Sequence, residues 1–267
     1  MLPAMDVTGR TVLLTGATGG IGHAIARRLH AAGAVLVLTG RRAEVLEPLA
    51  AELGATAVAC DLADPAAIDA LVAAHPDVDV VVNNAALPAS GPLSGFTPAQ
   101  VDRAMQVNLR APIAIAHFYA SRMTTRSSGH LVFISSLSGK SAAPGTSLYS
   151  ASKFGMRGFA WGLREDLHGT GVGVSTVFPG FIRDAGMFAD SGAVLPKGVG
   201  SATPEQVADA VLRAIRKDKA EIDVAPVSLR VGAAFAGVAP QLSASVSRRL
   251  GASDISSQIA AGQADKR

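Results

Sequence analysis

Apolar positions fall into short runs of β-branched and aliphatic residues, separated by longer segments in which they recur every three or four positions. The runs are TVLLTG (11–16), VLVLTG (35–40), TAVACD (56–61), DVVVNN (79–84), HLVFISS (130–136), GVSTVFP (173–179) and EIDVA (221–225). Helical spacing is carried by AIARRLHAAG (24–33), EVLEPLAAEL (44–53) and segments near 65–74, 98–124, 149–167 and 204–217. Strands that alternate with helices are the mark of βαβ units, and strands apolar on both faces are buried between helix layers. The pattern predicts an α/β fold with a single doubly wound parallel sheet of about seven strands and helices on both faces. No repeat or linker interrupts residues 1–225, which read as one domain, and residues 226–267 read as a C-terminal helical extension.

Composition narrows this picture. A chain of 267 residues is served by one core, and with 49% apolar but only 4% aromatic residues that core is filled by Ala, Val, Leu and Ile. The formal charge of +3 is scattered, without the basic block that nucleic-acid binding needs. One cysteine, Cys60, cannot form an internal disulfide, and the six histidines lack zinc-like spacing, so no metal is expected. No signal-like core and no run of about 18 apolar residues is visible, and the expected location is the cytoplasm.

Two local features bear on chemistry. TGATGGIG (15–22) joins an apolar run to a helix, and Gly16, Gly20 and Gly22 stand where a tight turn and a close approach exclude side chains. A helix N-terminus offers unpaired N–H groups and positive dipole charge, which suits a pyrophosphate; a plain glycine-rich turn is the alternative. In the 98–124 segment, Thr97 and Pro98 form a helix start. Pro112 has no N–H to give to the carbonyl of Asn108, so a bend is predicted there that frees that oxygen.

Tyr149 and Lys153 stand one helical turn apart on one face. An ordinary phenol ionises near pH 10 and is a poor base at neutrality. Opposite charges about 4 Å apart at an effective dielectric near 20 attract by about 4 kcal/mol, and one pKa unit is about 1.4 kcal/mol. An ammonium that close lowers the phenol by about two or three units before desolvation opposes it. Alone, such a pair is an ordinary surface pair.

The separated motifs, in order, are Thr15-Gly16-xxx-Gly20-Ile21-Gly22, Asp61-Leu62, Asn83-Asn84-Ala85, Asn108, Ser136, Tyr149-xxx-Lys153 and Pro179-Gly180. In these the chain resembles the classical short-chain dehydrogenases/reductases (SDRs) from about Gly9 to Ala225. The resemblance implies a Rossmann-type fold and hydride transfer between a nicotinamide and a hydroxyl or carbonyl carbon of a small-molecule alcohol or ketone. It implies a catalytic set of Asn108, Ser136, Tyr149 and Lys153: Tyr149 exchanges the proton, Ser136 steadies the oxygen, Lys153 lowers the phenol pKa and binds the ribose, and the Asn108 carbonyl holds a relay water. Ser135 and Ser138 are alternatives to Ser136 on composition alone. The cofactor would be held by Gly16, Thr18, Gly20, Ile21, Gly22, Asp61, Leu62, Asn83, Ala85, Tyr149, Lys153, Pro179, Gly180 and Ile182. Gly40 stands where NAD-type relatives carry an acid and is followed by Arg41 and Arg42, so NADP(H) is expected, with NAD(H) possible. The alternative is that both arginines are solvated helix-start charges.

Asp184 stands where the family commonly has threonine. SGAVLPKGVGSAT (191–203) reads as a substrate loop, with Met187, Phe188 and Leu195 lining an apolar pocket or simply packing. The tail to Arg267 is expected to cover the pocket or form an oligomer contact, a membrane surface being less suited to it, and to lose order beyond about residue 252. A homodimer or homotetramer is the inherited expectation. A cofactor-binding regulatory protein without chemistry is the rival reading.

Overall fold

The computed structural model describes residues 5–196, 198–249, 252–263 and 265. Seven strands form one sheet in the order β3-β2-β1-β4-β5-β6-β7. They are β1 (Thr11–Thr15), β2 (Val35–Gly40), β3 (Thr56–Ala59), β4 (Val80–Asn83), β5 (Gly129–Ile134), β6 (Val172–Pro179) and β7 (Glu221–Val224), and every pairing is parallel. The chain winds outward from β1 to β3, then crosses back so that β4 pairs with β1. Such a reversal leaves a crevice beyond the carboxyl ends of the strands, where doubly wound sheets bind their ligands.

Alternation along each strand divides the core into two layers. Val12 and Leu14 point to one face with Leu36, Leu38, Val80 and Val82, against α1 (Gly20–Ala31), α2 (Ala43–Leu53) and α7 (Pro204–Lys217). Leu13, Val37, Val81, Leu131 and Phe133 point to the other, against α3 (Pro65–Ala74), α5 (Ala111–Thr125) and α6 (Ser147–Asp166). Both layers are built from the strand runs read in the sequence.

The 98–124 segment is the main departure from regular helix. Thr97 and Gln100 form a reciprocal capping box at α4 (Pro98–Met105), as Thr203 and Gln206 do at α7. Between α4 and α5 lies a π turn, Gln106–Arg110, closed by the Ala111 N–H donating to the Gln106 carbonyl five residues back. The predicted irregularity at Pro112 therefore takes the form of an inserted residue, a local form that recurs at functional sites.

After β7 come α8 (Val227–Val238), α9 (Pro240–Arg249) and α10 (Ala252–Gly262). α10 is helical and packs on residues 187–194; residues 250, 251, 264, 266 and 267, part of the stretch where loss of order was expected, lie outside the described residues. No helix among the described residues is long and apolar enough to cross a membrane.

His130 in β5 is 2% exposed, and its Nε2 meets the Ser175 hydroxyl at 2.8 Å. Burial pushes its pKa down to about 4, with Asp218 opposing and Arg164 assisting. Between that value and the ordinary 6.5 the unfolded chain binds the extra proton, so stability falls as pH drops through this window. On the order of 3 kcal/mol is at stake. Thermal unfolding from pH 7 to 4 should show a shallower loss in His130→Gln than in the native chain; parallel curves would remove His130 as a cause.

Candidate active site

The turn from β1 into α1 is shaped by missing side chains. Gly16 has φ +68°, and a Cβ there would lie 2.7 Å from the Ala85 Cα. At Gly22 a Cβ would overlap the Gly16 carbonyl oxygen, and at Gly20 it would overlap the Ala185 Cβ. Unlike α3, α4 and α7, α1 has no side-chain cap, and its first turn holds no acid. The resulting cradle of backbone N–H groups fits a pyrophosphate better than a structural turn, which would gain from a cap.

Asn84 fastens this turn to the end of β4. Its Nδ2 donates to the Thr15 and Gly16 carbonyls at 3.1 Å, and the Asn84 and Ala85 N–H groups donate to Thr15 Oγ1 at 3.0 and 3.1 Å. Asn83 beside it is buried, and its amide N and O have no partner among the described residues. Arg42 Nη2 donates to the Thr18 carbonyl at 2.6 Å, and Arg41 is exposed. A Cβ at Gly40 would lie 2.7 Å from Thr18 Cγ2, so the bare backbone at 40 and the threonine at 18 fit one another.

Asp61 follows β3. Its desolvation is outweighed by the Ala63 N–H and the Arg103 guanidinium, each 3.0 Å from a carboxylate oxygen, which hold the carboxyl below its usual range. Leu62 is buried in the second core layer.

Ser136 ends β5, and Tyr149 and Lys153 stand on successive turns of α6. Ser136 accepts from the Ser138 N–H at 3.1 Å, and its hydroxyl acts on the Tyr149 phenol in the direction that lowers its pKa. Ser135 is turned away: its hydroxyl donates to the Lys153 carbonyl at 3.1 Å. The Lys153 ammonium, 2% exposed as a residue, donates to the Ile134 carbonyl at 3.0 Å and stands 5.7 Å from the Tyr149 ring centroid.

Electrostatics here are governed by burial. Burial pushes the Tyr149 phenol up and the Ser136 hydrogen bond only partly offsets it, while burial pushes Lys153 down to about 8. Desolvation dominates both groups, and lysine does not bring the phenol below its ordinary value. A raised phenol is a proton donor at neutral pH.

Asn108 is fully buried in the π turn. Its Oδ1 accepts from the Leu87 N–H at 2.6 Å and its Nδ2 donates to the Leu87 carbonyl at 2.9 Å. The side chain thus clamps the loop after β4, a task the sequence reading had not assigned to it.

Beyond β6, Gly180 donates to the Val224 carbonyl at 3.0 Å, and Ile182 forms a parallel bridge with Ala202. Asp184 has φ +69°, is exposed and stands 3.4 Å from the Arg183 guanidinium. Ala185 then covers Gly20, and Gly186 lies on Ile21, so the loop after β6 rests on the first turn of α1. Sequence reasoning missed Ala185 and Gly186, because bare surfaces on both partners carry no motif. Phe181 and Phe188 pack with ring centroids 5.0 Å apart. Among the described residues no three His, Cys, Asp or Glu side chains are grouped to hold a metal ion.

A proton-bearing phenol, a serine hydroxyl that acts on it and a buried amine thus share the carboxyl end of the sheet with the glycine cradle. The family model for short chain dehydrogenases matches residues 10–194. A ketoacyl reductase, HetN, of Nostoc sp. is 36% identical over 227 residues, covering 82% of this chain and 79% of its own. Among solved structures, a short-chain dehydrogenase from Sphingobium yanoikuyae in complex with NADPH superposes with TM-score 0.76 at 28% identity, covering 88% of this chain and 95% of its own. A metagenomic short-chain oxidoreductase in complex with NADP gives 0.70 at 34%, covering 84% and 99%. The shared fold, the matched span and the curated relative establish that this chain belongs to the short-chain dehydrogenase/reductase family of oxidoreductases.

Proposed function

We propose that the protein interconverts a carbonyl and a hydroxyl on a small apolar substrate with NADP(H), using Asn108, Ser136, Tyr149 and Lys153. The observation that carries this reading is the grouping of Ser136 at the end of β5, a buried Tyr149 phenol whose pKa Ser136 acts to lower, and a buried Lys153, at the end of the sheet that also holds a glycine cradle with no side-chain cap.

The bound cofactor supplies a hydride at the nicotinamide. The protein handles the proton and the geometry. Tyr149 gives its phenolic proton to the substrate oxygen in reduction, and Ser136 holds that oxygen by a second hydrogen bond. Lys153, with a pKa near 8, keeps a charge close to the phenol at neutral pH and favours the phenolate left after transfer. Asn108 acts through position, fixing the Leu87 loop. Gly16, Thr18, Gly20, Ile21 and Gly22 would hold the pyrophosphate end, Asp61 and Leu62 would line the adenine, Asn83 and Ala85 would shape the floor of the cofactor site, and Pro179, Gly180 and Ile182 would meet the carboxamide. The unpartnered Asn83 amide suits a ligand contact. Phe181, Phe188 and Met187 favour an apolar substrate.

Preference for NADP(H) is supported by Gly40, by Arg42 held at the Thr18 carbonyl, and by the NADP-bound structural neighbours. Phe154 and Trp161, exposed on α6, offer an apolar surface for the expected homodimer or homotetramer. Cys60 is buried and free, in keeping with the expected cytoplasmic location.

The test is fluorescence titration with NADPH and NADH, followed by NADPH oxidation against a panel of aliphatic and alicyclic ketones. Arg42→Ala should weaken NADPH about tenfold, the scale of one charge-assisted contact, and leave NADH unchanged. Equal weakening of both would make Arg42 a structural residue. A native chain that bound neither dinucleotide would refute the reading.

A further inference from the structure

α8 carries its most apolar side away from the body of the protein. Leu229, Ala233 and Ala236 recur at helical spacing on the inner side, but of these only Ala233 is buried, whereas α10 buries Ser256, Ala260 and Gln263. On the opposite side Val227, Val231, Phe235 and Val238 follow one another by three or four positions, and the three valines are 69%, 62% and 86% exposed. A Cβ added at Gly232 or Gly237 would meet no neighbour within 4 Å, so no described residue closes over this part of the helix. α9 exposes Leu242 and Val246 in the same way, one turn apart. Single exposed valines are ordinary on a protein surface; six large apolar side chains in register on two consecutive helices mark a surface that meets a partner.

Charge decides which partner. No aspartate or glutamate occurs between Asp223 and Asp254, while Arg230, Arg248 and Arg249 are all exposed. Arg230 stands 4.0 Å from Asp223 at the foot of α8, and Arg249 follows Val246 by three positions, on the same side of α9. A second copy docked through this face would bring two sets of arginines together with no acid from either helix pair to meet them. An anionic lipid surface suits both halves: headgroups take the guanidinium groups, and the boundary with the acyl chains takes the valines, Phe235 and Leu242. We propose that α8 and α9 form a docking surface on which the protein rests peripherally against anionic membranes. The sequence favoured pocket cover or an oligomer contact for this segment, since which side of α8 faces outward is visible only in the fold.

The test is co-sedimentation of the full-length protein with vesicles of phosphatidylcholine containing one third phosphatidylglycerol, and with vesicles of phosphatidylcholine alone. The native chain should partition onto the anionic vesicles at least tenfold more strongly, and the difference should shrink as salt is raised. Val231→Ser/Phe235→Ser/Val238→Ser alters only exposed side chains and should lower the partition at least tenfold with unchanged Tm. Arg248→Gln/Arg249→Gln, a second route that leaves the apolar stripe intact, should lower binding to anionic vesicles about tenfold and leave neutral vesicles unaffected. Native protein that stayed in solution with both vesicle types would overturn the docking surface, as would undiminished binding by the serine variant. Equal native binding to neutral and anionic vesicles would overturn the role of the arginines. Sedimentation equilibrium without vesicles should give native and serine-variant chains the same mass; a smaller variant would assign the face to self-association and overturn lipid docking. Docking of this kind depends on no part of the reaction proposed above, and NADPH affinity should be the same in all three chains.

Discussion

Tyr149→Phe is expected to lower kcat for NADPH-dependent ketone reduction about 10³-fold, the scale of one lost general acid, while leaving the NADPH Kd within about twofold. The substitution removes one oxygen from a ring that stays packed on α6, with Lys153 still bonded to the Ile134 carbonyl. Only the phenolic hydroxyl, on which Ser136 acts, disappears. Because burial raises the phenol pKa, reduction should need no base and should be nearly flat from pH 6 to 7.5, whereas alcohol oxidation, which needs the phenolate, should climb with pH. Single-turnover measurement of NADPH oxidation separates chemistry from binding. Residual activity above a tenth of native would remove Tyr149 from the proton-transfer role.

Gly22→Val should abolish measurable NADPH binding and cost about 4 kcal/mol of stability, roughly a 10 °C fall in Tm. Any Cβ at this position overlaps the Gly16 carbonyl oxygen and stands 2.9 Å from the Ala17 Cα. Both obstacles are backbone, so no rotamer change relieves them. The turn must open, and with it the N–H cradle at α1. Calorimetry gives the Tm and titration gives the affinity; native-like values for both would show that the turn accommodates a side chain.

The sheet was legible because its inner strands β1, β2, β4, β5 and β6 are buried on both faces and so appear as apolar runs, as in VLVLTG and DVVVNN. The cradle was legible because glycine is the only residue that its backbone geometry admits at 16 and 22. Other features depended on contacts that sequence spacing does not encode. Pro112 marked the place of the helix irregularity, but the π turn and the Asn108 grip on Leu87 arise from how α4 and α5 meet the loop after β4. For the Tyr149–Lys153 pair the spacing gave the Coulombic attraction, while the size of the opposing desolvation depends on burial, which a linear spacing cannot reveal. α10 escaped notice because Ser256, Ala260 and Gln263 make no apolar stripe.

α1 does more than present N–H groups. Arg28 is bound to Asp209 of α7 at 2.6 Å, and the first turn of α1 carries Ala185 and Gly186 of the loop after β6. On the proposed function the two ligand sites would share this one mechanical element, and ordering it for the first ligand would lower the cost of ordering it for the second. Thermodynamic reciprocity then fixes the balance: whatever factor a bound carbonyl adds to dinucleotide affinity, the dinucleotide returns to the carbonyl.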